Sequence, residues 1–337
     1  MFYIENLSFN PFYNLAFEEY FMMQRKDLPD VFLLWQNEPT VVVGRHQNVN
    51  KEVNLQFLQE KAIHLVRRNS GGGAVYHDLG NLNYTFITTD QNAKVSFERF
   101  TNPVIQALKA GGVQAELSGR NDILVAGCKI SGNAQYLQGN RIMHHGTLLF
   151  ASNLDEVETM LTPDPDKLKA RGVDSVRSRI TNISEHLPEI ISLAEFKRSL
   201  LQYMDSYTGI EQINCTEADL QIIQQLTAEK YTQPFWNFGT LFNYNAAYAQ
   251  RFSWGELGCQ LWIQEKTIMA GKLYGDFFSH QDLTELEQQL TGLRPGEENF
   301  TQAIADMPVE DYISGITREE WSQLINLVIQ NGEGQEV

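Results

Sequence analysis

The sequence contains few cysteines, few basic residues and no long apolar run. Its 337 residues include only three cysteines, Cys128, Cys215 and Cys259, which are scattered along the chain. Such a set fits neither a disulfide framework nor a zinc site, so we expect reduced thiols. No stretch approaches the roughly 20 apolar residues that span a bilayer, and the N-terminus lacks the features of a signal peptide. These absences predict a cytoplasmic protein without a membrane partner.

Basic residues are outnumbered, and the excess of acid lies in one half of the chain. There are 26 Lys and Arg residues against 42 Asp and Glu, which gives a formal net charge of −16. Residues 1–180 hold 18 basic and 19 acidic side chains, whereas residues 181–337 hold 8 and 23. Because phosphate backbones select basic surfaces, this balance argues against nucleic-acid binding. We expect an anionic substrate to bind in the near-neutral first half, which contains most of the arginines.

Both common nucleotide-binding fingerprints are also missing, the P-loop and the G-x-G-x-x-G turn. Instead, Arg67-Arg68-Asn69-Ser70 leads into three consecutive glycines, Gly71 to Gly73, and Ala74-Val75-Tyr76-His77-Asp78 follows. Without a Cβ, glycines adopt turn conformations that other residues avoid and bring backbone N–H groups close to an anionic ligand. The pattern therefore indicates an anion cradle. The simpler alternative is a tight turn between two strands.

The length of the chain and its turn signals predict two domains. We place a catalytic domain at residues 1–246 and a small accessory domain at residues 247–337. In the first domain, short strands joined by glycine-containing turns suggest a mixed, largely antiparallel sheet. The predicted helices are 11–24, 53–61, 97–109, 153–161, 192–207 and 217–230. The predicted strands are 2–9, 31–35, 40–43, 64–66, 82–87, 115–117, 123–126, 127–132, 133–137 and 145–150.

Lys129 and Asp122 are the next candidates for chemistry. Lys129 lies in a strand-like Cys-Lys-Ile-Ser-Gly segment, where a lysine either faces solvent or points into a cleft. In a cleft, its ammonium group would stabilise two anions that are brought together. Asp122 is a candidate Mg²⁺ ligand, since magnesium in nucleotide sites is held by one or two carboxylates and phosphate oxygens. The alternative for Asp122 is a turn aspartate that bonds its own backbone.

Several other residues have ordinary structural alternatives. His77 next to Asp78 is either an oriented imidazole or a histidine that caps a turn. His144 and His145 are adjacent in a strand and face opposite ways, so we do not expect them to share a metal. Cys128 alternates with Lys129 along the strand and is expected to be a buried thiol. A set of apolar residues forms either core or a slot for an aliphatic chain; its members are Trp35, Val41, Val43, Tyr84 and Phe86.

Five blocks of the sequence, taken together, resemble the bacterial lipoate–protein ligase A family. They occur in the order of the family, and with the C-terminal part the resemblance covers essentially the whole chain. The glycine block alone is less specific, because octanoyl transferases and biotin ligases carry related versions. The blocks are residues 68–81 (RNSGGGAVYHDLGN), 119–123 (GRNDI), 129–134 (KISGNA), 144–149 (HHGTLL) and 175–182 (SVRSRITN).

The resemblance implies an α+β fold, with a large mixed-sheet catalytic domain like that of biotin and lipoyl ligases and a small C-terminal α+β accessory domain. The implied enzyme uses ATP and Mg²⁺ to convert lipoate to lipoyl-AMP. It then transfers the lipoyl group to a lysine ε-amine on lipoyl domains of 2-oxoacid dehydrogenase E2 subunits or on glycine cleavage H protein. Two alternatives stay open: an ATP-independent lipoyl or octanoyl transferase between carrier proteins, and a non-catalytic lipoate-binding protein.

The resemblance also implies roles for individual residues. Lys129 would bridge the lipoate carboxylate and the α-phosphate, and Asp122 would bind the adenylate or the metal. The nucleotide would be held by Arg68, Gly73, Ala74, Val75 and Tyr76. The lipoyl slot would be lined by Trp35, Gly71, Gly72 and His77. We expect the acceptor domain to dock near Arg141, Lys169, Arg171, Arg177 and Arg179.

Overall fold

The computed structural model of this protein describes residues 1–90, 96–119, 121–155, 157–161, 179–239 and 243–333. The chain divides into two compact units. The large unit consists of Met1–Val43, Val49–Asn69 and Ala74–Phe238, and the small unit consists of Gly44–Asn48, Ser70–Gly73 and Gly239–Val337. The three glycines are thus assigned to the small unit, although the strands that precede and follow them in sequence belong to the large unit.

The large unit contains one large sheet and one small sheet. Its strands are β1 (Phe2–Glu5), β2 (Asp30–Trp35), β3 (Thr40–Val43), β4 (His64–Arg67), β5 (Val75–His77), β6 (Asn81–Thr89), β7 (Ala115–Ser118), β8 (Asp122–Val125), β9 (Cys128–Gln138), β10 (Arg141–Leu149) and β11 (Glu211–Ile213). The large sheet has the order β11-β1-β2-β6-β10-β9-β8-β7. Strand β1 is parallel to β2 and β11, and the other neighbouring pairs are antiparallel. The predicted mixed, largely antiparallel sheet is confirmed.

The small sheet positions the glycine loop. Its order is β4-β3-β5, with β3 parallel to β4 and antiparallel to β5. The chain leaves β4 on one side of β3 and enters β5 on the other side, so the connection has to span the central strand. The simpler prediction of a tight turn between two neighbouring strands is therefore wrong.

Helices cover both faces of the large sheet. They are α1 (Pro11–Met23), α2 (Val49–Glu52), α3 (Leu55–Glu60), α4 (Phe97–Ala110), α5 (Val157–Met160), α6 (Leu193–Thr208), α7 (Glu217–Leu226) and α8 (Pro234–Asn237), together with a 3₁₀ turn (Ile183–His186) and a π-helix (Thr227–Tyr231). Apolar side chains of α4 and α6 pack on one face, and those of α1 and α7 pack on the other. The start of α1 was predicted correctly, because the Asn10 side chain accepts hydrogen bonds from the N–H groups of Phe12 and Tyr13 and Pro11 is the first helical residue.

Some predicted elements differ in extent. Strand β1 ends at Glu5 rather than at residue 9, because Asn6 Oδ1 accepts a hydrogen bond from the N–H of Ser8 and turns the chain. The two strands predicted at 127–132 and 133–137 are one strand, β9. Strand β6 was expected to be half-buried, but it is buried on both faces from Asn81 to Thr88. The helix predicted at 153–161 is present only as α5. The helix predicted at 217–230 is α-helical to Leu226 and continues as the π-helix.

The small unit is an α+β structure with its own core. Strands β12 (Ala246–Phe252), β13 (Gly255–Gln264) and β14 (Thr267–Gly275) form an antiparallel sheet. They are followed by α9 (Thr284–Leu290), α10 (Phe300–Ala305), a 3₁₀ turn (Val309–Asp311) and α11 (Arg318–Glu333). Trp321, which is fully buried, packs in this core with the strands and helices. Among the described residues, no helix combines the length and the apolar character needed to cross a membrane.

Candidate active site

The three consecutive glycines have different local roles. A Cβ at Gly71 would lie 2.3 Å from the carbonyl oxygen of Phe277 in the small unit, so only glycine fits there. Gly72 has φ of 89°, and its N–H donates to the same oxygen over 3.2 Å. Gly73 is exposed, and in the described part of the chain a Cβ there would meet no atom within 4 Å. The close approach to the Phe277 carbonyl oxygen therefore explains why residues 71 and 72 are glycines. The backbone at Gly73 borders open space.

The two arginines before the loop are both buried, but their contacts differ. Arg67 donates from Nε to the carbonyl oxygen of Trp236 over 2.9 Å and from Nη2 to that of Asn237 over 3.0 Å. Arg68 donates from Nη1 to a backbone carbonyl of β3 over 3.2 Å. Burial lowers the pKa of Arg68 to about 10, against the opposing effect of the negative charge of Glu18. Arg68 therefore keeps its charge at neutral pH in a site of low polarity.

His77 is a buried imidazole with one bonded and one orphaned nitrogen. Asn37 Nδ2 lies 3.0 Å from Nδ1, so the amide donates there and the neutral ring carries its proton on Nε2. Nε2 is buried and has no hydrogen-bond partner within the described ranges. Burial, with smaller contributions from the charges of Arg68 and His145, lowers the pKa of His77 to about 3. The ring of Trp35 lies edge-on to this imidazole, with 6.0 Å between centroids. The structure thus brings together two residues that were predicted for the lipoyl slot.

A buried carboxylate beside this pair was not predicted. Glu18 on α1 is 1% exposed, and its Oε1 accepts a hydrogen bond from Thr85 Oγ1 over 2.5 Å. Thr85 Oγ1 in turn accepts from Trp35 Nε1 over 2.9 Å, and His145 Nδ1 lies 3.1 Å from Glu18 Oε1. A signal was present in the sequence: Glu18 stands one helical turn from Leu15, Phe21 and Met22 in α1, and a carboxylate in such apolar surroundings requires polar partners.

Lys129 is a partly buried, ion-paired lysine. Its Nζ lies 2.8 Å from Asp122 Oδ1, and the two side chains are 25% and 19% exposed. Ile130 is fully buried in the core, so strand alternation directs Lys129 to the opposite face. A Cβ at Gly132 would lie 2.7 Å from Nζ, so this glycine makes room for the ammonium group. Asp122 is the first residue of β8, so the expectation of a turn aspartate is wrong.

The residues assigned to the nucleotide backbone contacts lie at the start of β5. Ala74, Val75 and Tyr76 are half-buried, and in the described part of the chain β5 forms an edge of the small sheet. An edge strand presents backbone groups along the side that no neighbouring strand uses.

The adjacent histidines of β10 face opposite sides of the sheet, as predicted. His145 lies against Glu18, whereas His144 Nε2 is 3.2 Å from Asn133 Oδ1 and its ring stacks on Phe100 with 5.0 Å between centroids. Burial, and to a smaller degree the charge of His145, lowers the pKa of His144 well below its usual value. His144 is therefore a neutral core residue, and the two rings do not share a ligand.

Asp78 shapes a turn and does not orient His77. Its carboxylate accepts hydrogen bonds from the N–H groups of Gly80 over 2.9 Å and Asn153 over 2.7 Å. Cys128 is a reduced cysteine of intermediate burial, so the expectation of a buried thiol is wrong. The five apolar candidates are all buried in hydrophobic clusters: Trp35, Val41, Val43, Tyr84 and Phe86.

Arg141 does not contribute to an acceptor-docking surface, which corrects the prediction. It is 4% exposed, and its guanidinium donates to the carbonyl oxygens of Arg25, Phe21 and Leu28 over 3.1 to 3.3 Å. Phe21 lies in the last turn of α1, where helix carbonyls have no partner within the helix, and Arg25 and Leu28 belong to the segment that follows the helix. Of the other expected docking residues, Arg179 is half-buried, and Lys169, Arg171 and Arg177 lie outside the described residues.

Comparison with known proteins identifies the family. The model of the lipoyl protein ligase A/B catalytic domain matches residues 10–205, and that of the bacterial lipoate protein ligase C-terminus matches residues 242–325. Lipoate-protein ligase LplJ of Bacillus subtilis (strain 168) is 39% identical over 330 residues, which are 96% of this chain and 100% of that protein. The chain belongs to the lipoate–protein ligase family. Lipoate–protein ligase 1 of Staphylococcus aureus (strain Mu50) is 40% identical over 318 residues, 94% of this chain and 97% of that protein.

Solved structures agree with the fold of this family. P. falciparum LipL1 in complex with lipoate superposes with a TM-score of 0.78 at 20% identity, over 98% of this chain and 99% of that one. A lipoate-protein ligase A bound with ATP gives a TM-score of 0.61 at 24% identity, over 71% and 98%. At such identities the likeness concerns the fold alone. The predicted family and the predicted α+β fold class, with a large mixed-sheet domain and a small C-terminal one, are confirmed.

Proposed function

We propose that this chain is an ATP-dependent lipoate–protein ligase that works in two steps. In the first, a carboxylate oxygen of lipoate attacks the α-phosphorus of ATP, and pyrophosphate leaves. In the second, the ε-amine of an acceptor lysine attacks the acyl carbon of lipoyl-AMP, an amide forms, and AMP leaves. A carboxylate alone is a poor acyl donor, and the adenylate supplies a better leaving group. Family membership over the whole chain supports this function.

The position of Lys129 carries the assignment of roles. The first step brings a carboxylate to a triphosphate, so like charges must be compensated by fixed positive groups. Lys129 has an ammonium group that is oriented by Asp122 at 2.8 Å and remains a quarter exposed. We assign it to bridge the lipoate carboxylate and the α-phosphate. A compact ammonium is suited to contact two anions at once.

Further residues support binding of the two small substrates. Arg68 keeps a buried positive charge and donates to a backbone carbonyl of β3, the strand that pairs with β5, and Gly73 borders open space. With Ala74, Val75 and Tyr76 we assign them to ATP. His77 offers an orphaned, buried Nε2–H next to Trp35, and a ligand acceptor atom would satisfy it. We assign these two residues, with Gly71 and Gly72, to lipoate.

Asp122 fits a magnesium ion that is held mostly by phosphate oxygens. Within the described residues, no group of three or more His, Cys, Asp or Glu side chains is arranged to hold a metal. A single carboxylate is nevertheless enough for Mg²⁺ in nucleotide sites. Asp122 Oδ1 contacts Lys129, and the carboxylate of Asp122 would hold the ion together with the phosphate oxygens. When bound, Mg²⁺ would neutralise charge on the triphosphate.

The acceptors that we propose are lipoyl domains, in particular those of 2-oxoacid dehydrogenase E2 subunits or glycine cleavage H protein. Such a reaction on metabolic enzymes suits a cytoplasmic protein, which we propose as well. We also keep residues 1–246 as the catalytic domain and 247–337 as the accessory domain. The separate family matches to residues 10–205 and 242–325 support this division.

The test is the release of pyrophosphate on mixing the protein with lipoate and ATP before any acceptor is added. The ligase releases it, whereas an ATP-independent transferase or a lipoate-binding protein does not. Lys129→Ala should lower this rate by about 10²- to 10³-fold, the effect of losing one group that stabilises a transition-state anion. Lys109→Ala, at an exposed lysine of α4, is the matched control and should leave it unchanged. An unchanged rate in Lys129→Ala would overturn the assigned role.

A further inference from the structure

A segment near the end of the large unit holds the strand that leads into the glycine loop. The π-helix (Thr227–Tyr231) and α8 (Pro234–Asn237) make hydrogen bonds to residues 67–69 across sequence separations of 161 to 170 residues. Contacts this distant in sequence arise only from tertiary packing. They converge on Arg67 and Asn69, which flank Arg68 directly before Ser70–Gly73.

Arg67 and α8 are joined by hydrogen bonds that involve both the backbone and the side chain of Arg67. The N–H of Arg67 donates to Asn237 Oδ1 over 3.0 Å, and Trp236 Nε1 donates to the carbonyl oxygen of Arg67 over 2.8 Å. The Arg67 guanidinium donates in turn to the carbonyl oxygens of Trp236 and Asn237. The last residue of β4 is therefore fixed on its backbone and on its side chain.

Asn69, two residues further along the chain, is held by an ion pair. Glu19 Oε2 accepts hydrogen bonds from Lys230 Nζ over 2.6 Å, from Tyr231 Oη over 2.6 Å and from Asn69 Nδ2 over 2.9 Å. Lys230 Nζ also donates to Asn69 Oδ1 over 2.9 Å. Both polar groups of the Asn69 side chain are thus bonded to the ion pair.

The surroundings keep this ion pair in place. The side chains of Glu19 and Lys230 are only 16% and 21% exposed, and the Lys230 ammonium lies 4.0 Å from the ring centroid of Trp236. Burial acts to raise the pKa of Glu19, but the charge of Lys230 and the hydrogen bonds from Asn69, Lys230 and Tyr231 outweigh it and lower the pKa. Glu19 is therefore ionised at neutral pH, and its attraction to Lys230 is screened less than that of an exposed pair.

We propose that Glu19 and Lys230 are positioning residues that act through Asn69 on the residues assigned to ATP. The inference rests on the proposed function. Asn69 stands in the chain directly between Arg68 and the glycine loop, so fixing its side chain restricts the backbone on either side. A backbone that is ordered before the nucleotide binds loses less conformational entropy on binding. Glu19 and Lys230 thereby increase the affinity for ATP without contacting it.

Glu19→Gln tests the inference, because it removes the charge and keeps the size of the side chain. In the lipoate-dependent release of pyrophosphate, we expect the KM for ATP to rise about tenfold, as for the loss of one charge-assisted hydrogen bond. The KM values for lipoate and for the acceptor should stay the same. Lys230→Ala should give the same pattern. The control is Glu229→Gln, at an exposed glutamate of the same π-helix.

A readout without substrates completes the test. In Glu19→Gln, backbone amides of residues 68–73 should exchange hydrogen faster than in the wild type. The double variant Glu19→Gln/Asn69→Ala should bind ATP no more weakly than Asn69→Ala, because Glu19 acts only through its contact with the Asn69 side chain.

Two results would overturn the inference. One is a lower melting temperature with unchanged amide exchange and an unchanged KM for ATP, and the other is an equal rise in the KM values for ATP and lipoate. If the wild type released no pyrophosphate at all, the proposed function would fail instead, and amide exchange would still decide whether Glu19 orders residues 68–73.

Discussion

The ammonium nitrogen of Lys129 lies 2.8 Å from the Oδ1 atom of Asp122. We expect Asp122→Asn to lower the rate of adenylate formation by about tenfold, because the amide holds the ammonium less firmly than the carboxylate does. The measurement is pyrophosphate release with ATP and lipoate. If Asp122 acts only through Lys129, Asp122→Asn/Lys129→Ala equals Lys129→Ala. A slower double variant that requires more Mg²⁺ would show instead that Asp122 acts on the metal independently.

Gly71 and Gly73 offer a matched pair of substitutions. A Cβ at Gly71 would meet the Phe277 carbonyl oxygen at 2.3 Å, which is backbone and cannot swing away. We expect Gly71→Ala to lower the free energy of unfolding by about 1–3 kcal/mol, the usual effect of overpacking. Gly73→Ala should change it by less than about 0.5 kcal/mol. Urea unfolding of both variants checks this, and equal values would contradict the close approach.

The buried imidazole of His77 predicts a dependence of stability on pH. Its pKa falls from 6.5 to about 3 on folding, so between these values the unfolded chain binds a proton that the folded chain does not. Stability is therefore full above pH 6.5 and decreases as the pH falls, by up to about 1.4 kcal/mol per pH unit from this residue. His77→Gln should show a shallower slope in urea unfolding between pH 5 and 6.5. Identical slopes would count against a neutral, buried ring.

Arg141 should matter for stability and not for the acceptor. Arg141→Ala removes a hydrogen-bond donor from three carbonyl oxygens, one in the last turn of α1 and two in the segment that follows it, and we expect the free energy of unfolding to fall by about 3 kcal/mol. The KM for the acceptor domain should not change at a temperature where the variant is folded. Lys109→Ala is the control and should alter neither quantity. A higher KM for the acceptor domain with an unchanged free energy of unfolding would contradict this and would show that Arg141 contributes to acceptor docking.

Helix ends could be predicted from the sequence because a few neighbouring residues decide them. Asn10 and Pro11 start α1, and the capping box between Ser192 and Glu195 starts α6 at the expected place. The extent of β9 could not be predicted in the same way. Gly132 and Asn133 look like a break in the sequence, but pairing with β8 and β10 carries the strand through them.

The polar contacts between residues far apart in the chain could not be predicted from local sequence patterns. Glu18 and His145 are 127 residues apart, and Lys230 and Asn69 are 161 apart. Their contacts follow from which strands and helices pack together, and sequence patterns fix that only weakly. Lys129 and Asp122 were predicted as site residues from two different blocks of the sequence. That the two side chains meet follows from the antiparallel pairing of β8 with β9.

Gly132 determines where the charged end of Lys129 can lie. A methyl group at this position would occupy the space within 2.7 Å of the Lys129 nitrogen, and the flexible end of the lysine would have to swing elsewhere. Gly132→Ala would thus keep every ionisable group of the protein and still redirect one of them. The placement of the ammonium group can therefore be altered at a residue that has no side chain, while the composition of the site stays the same.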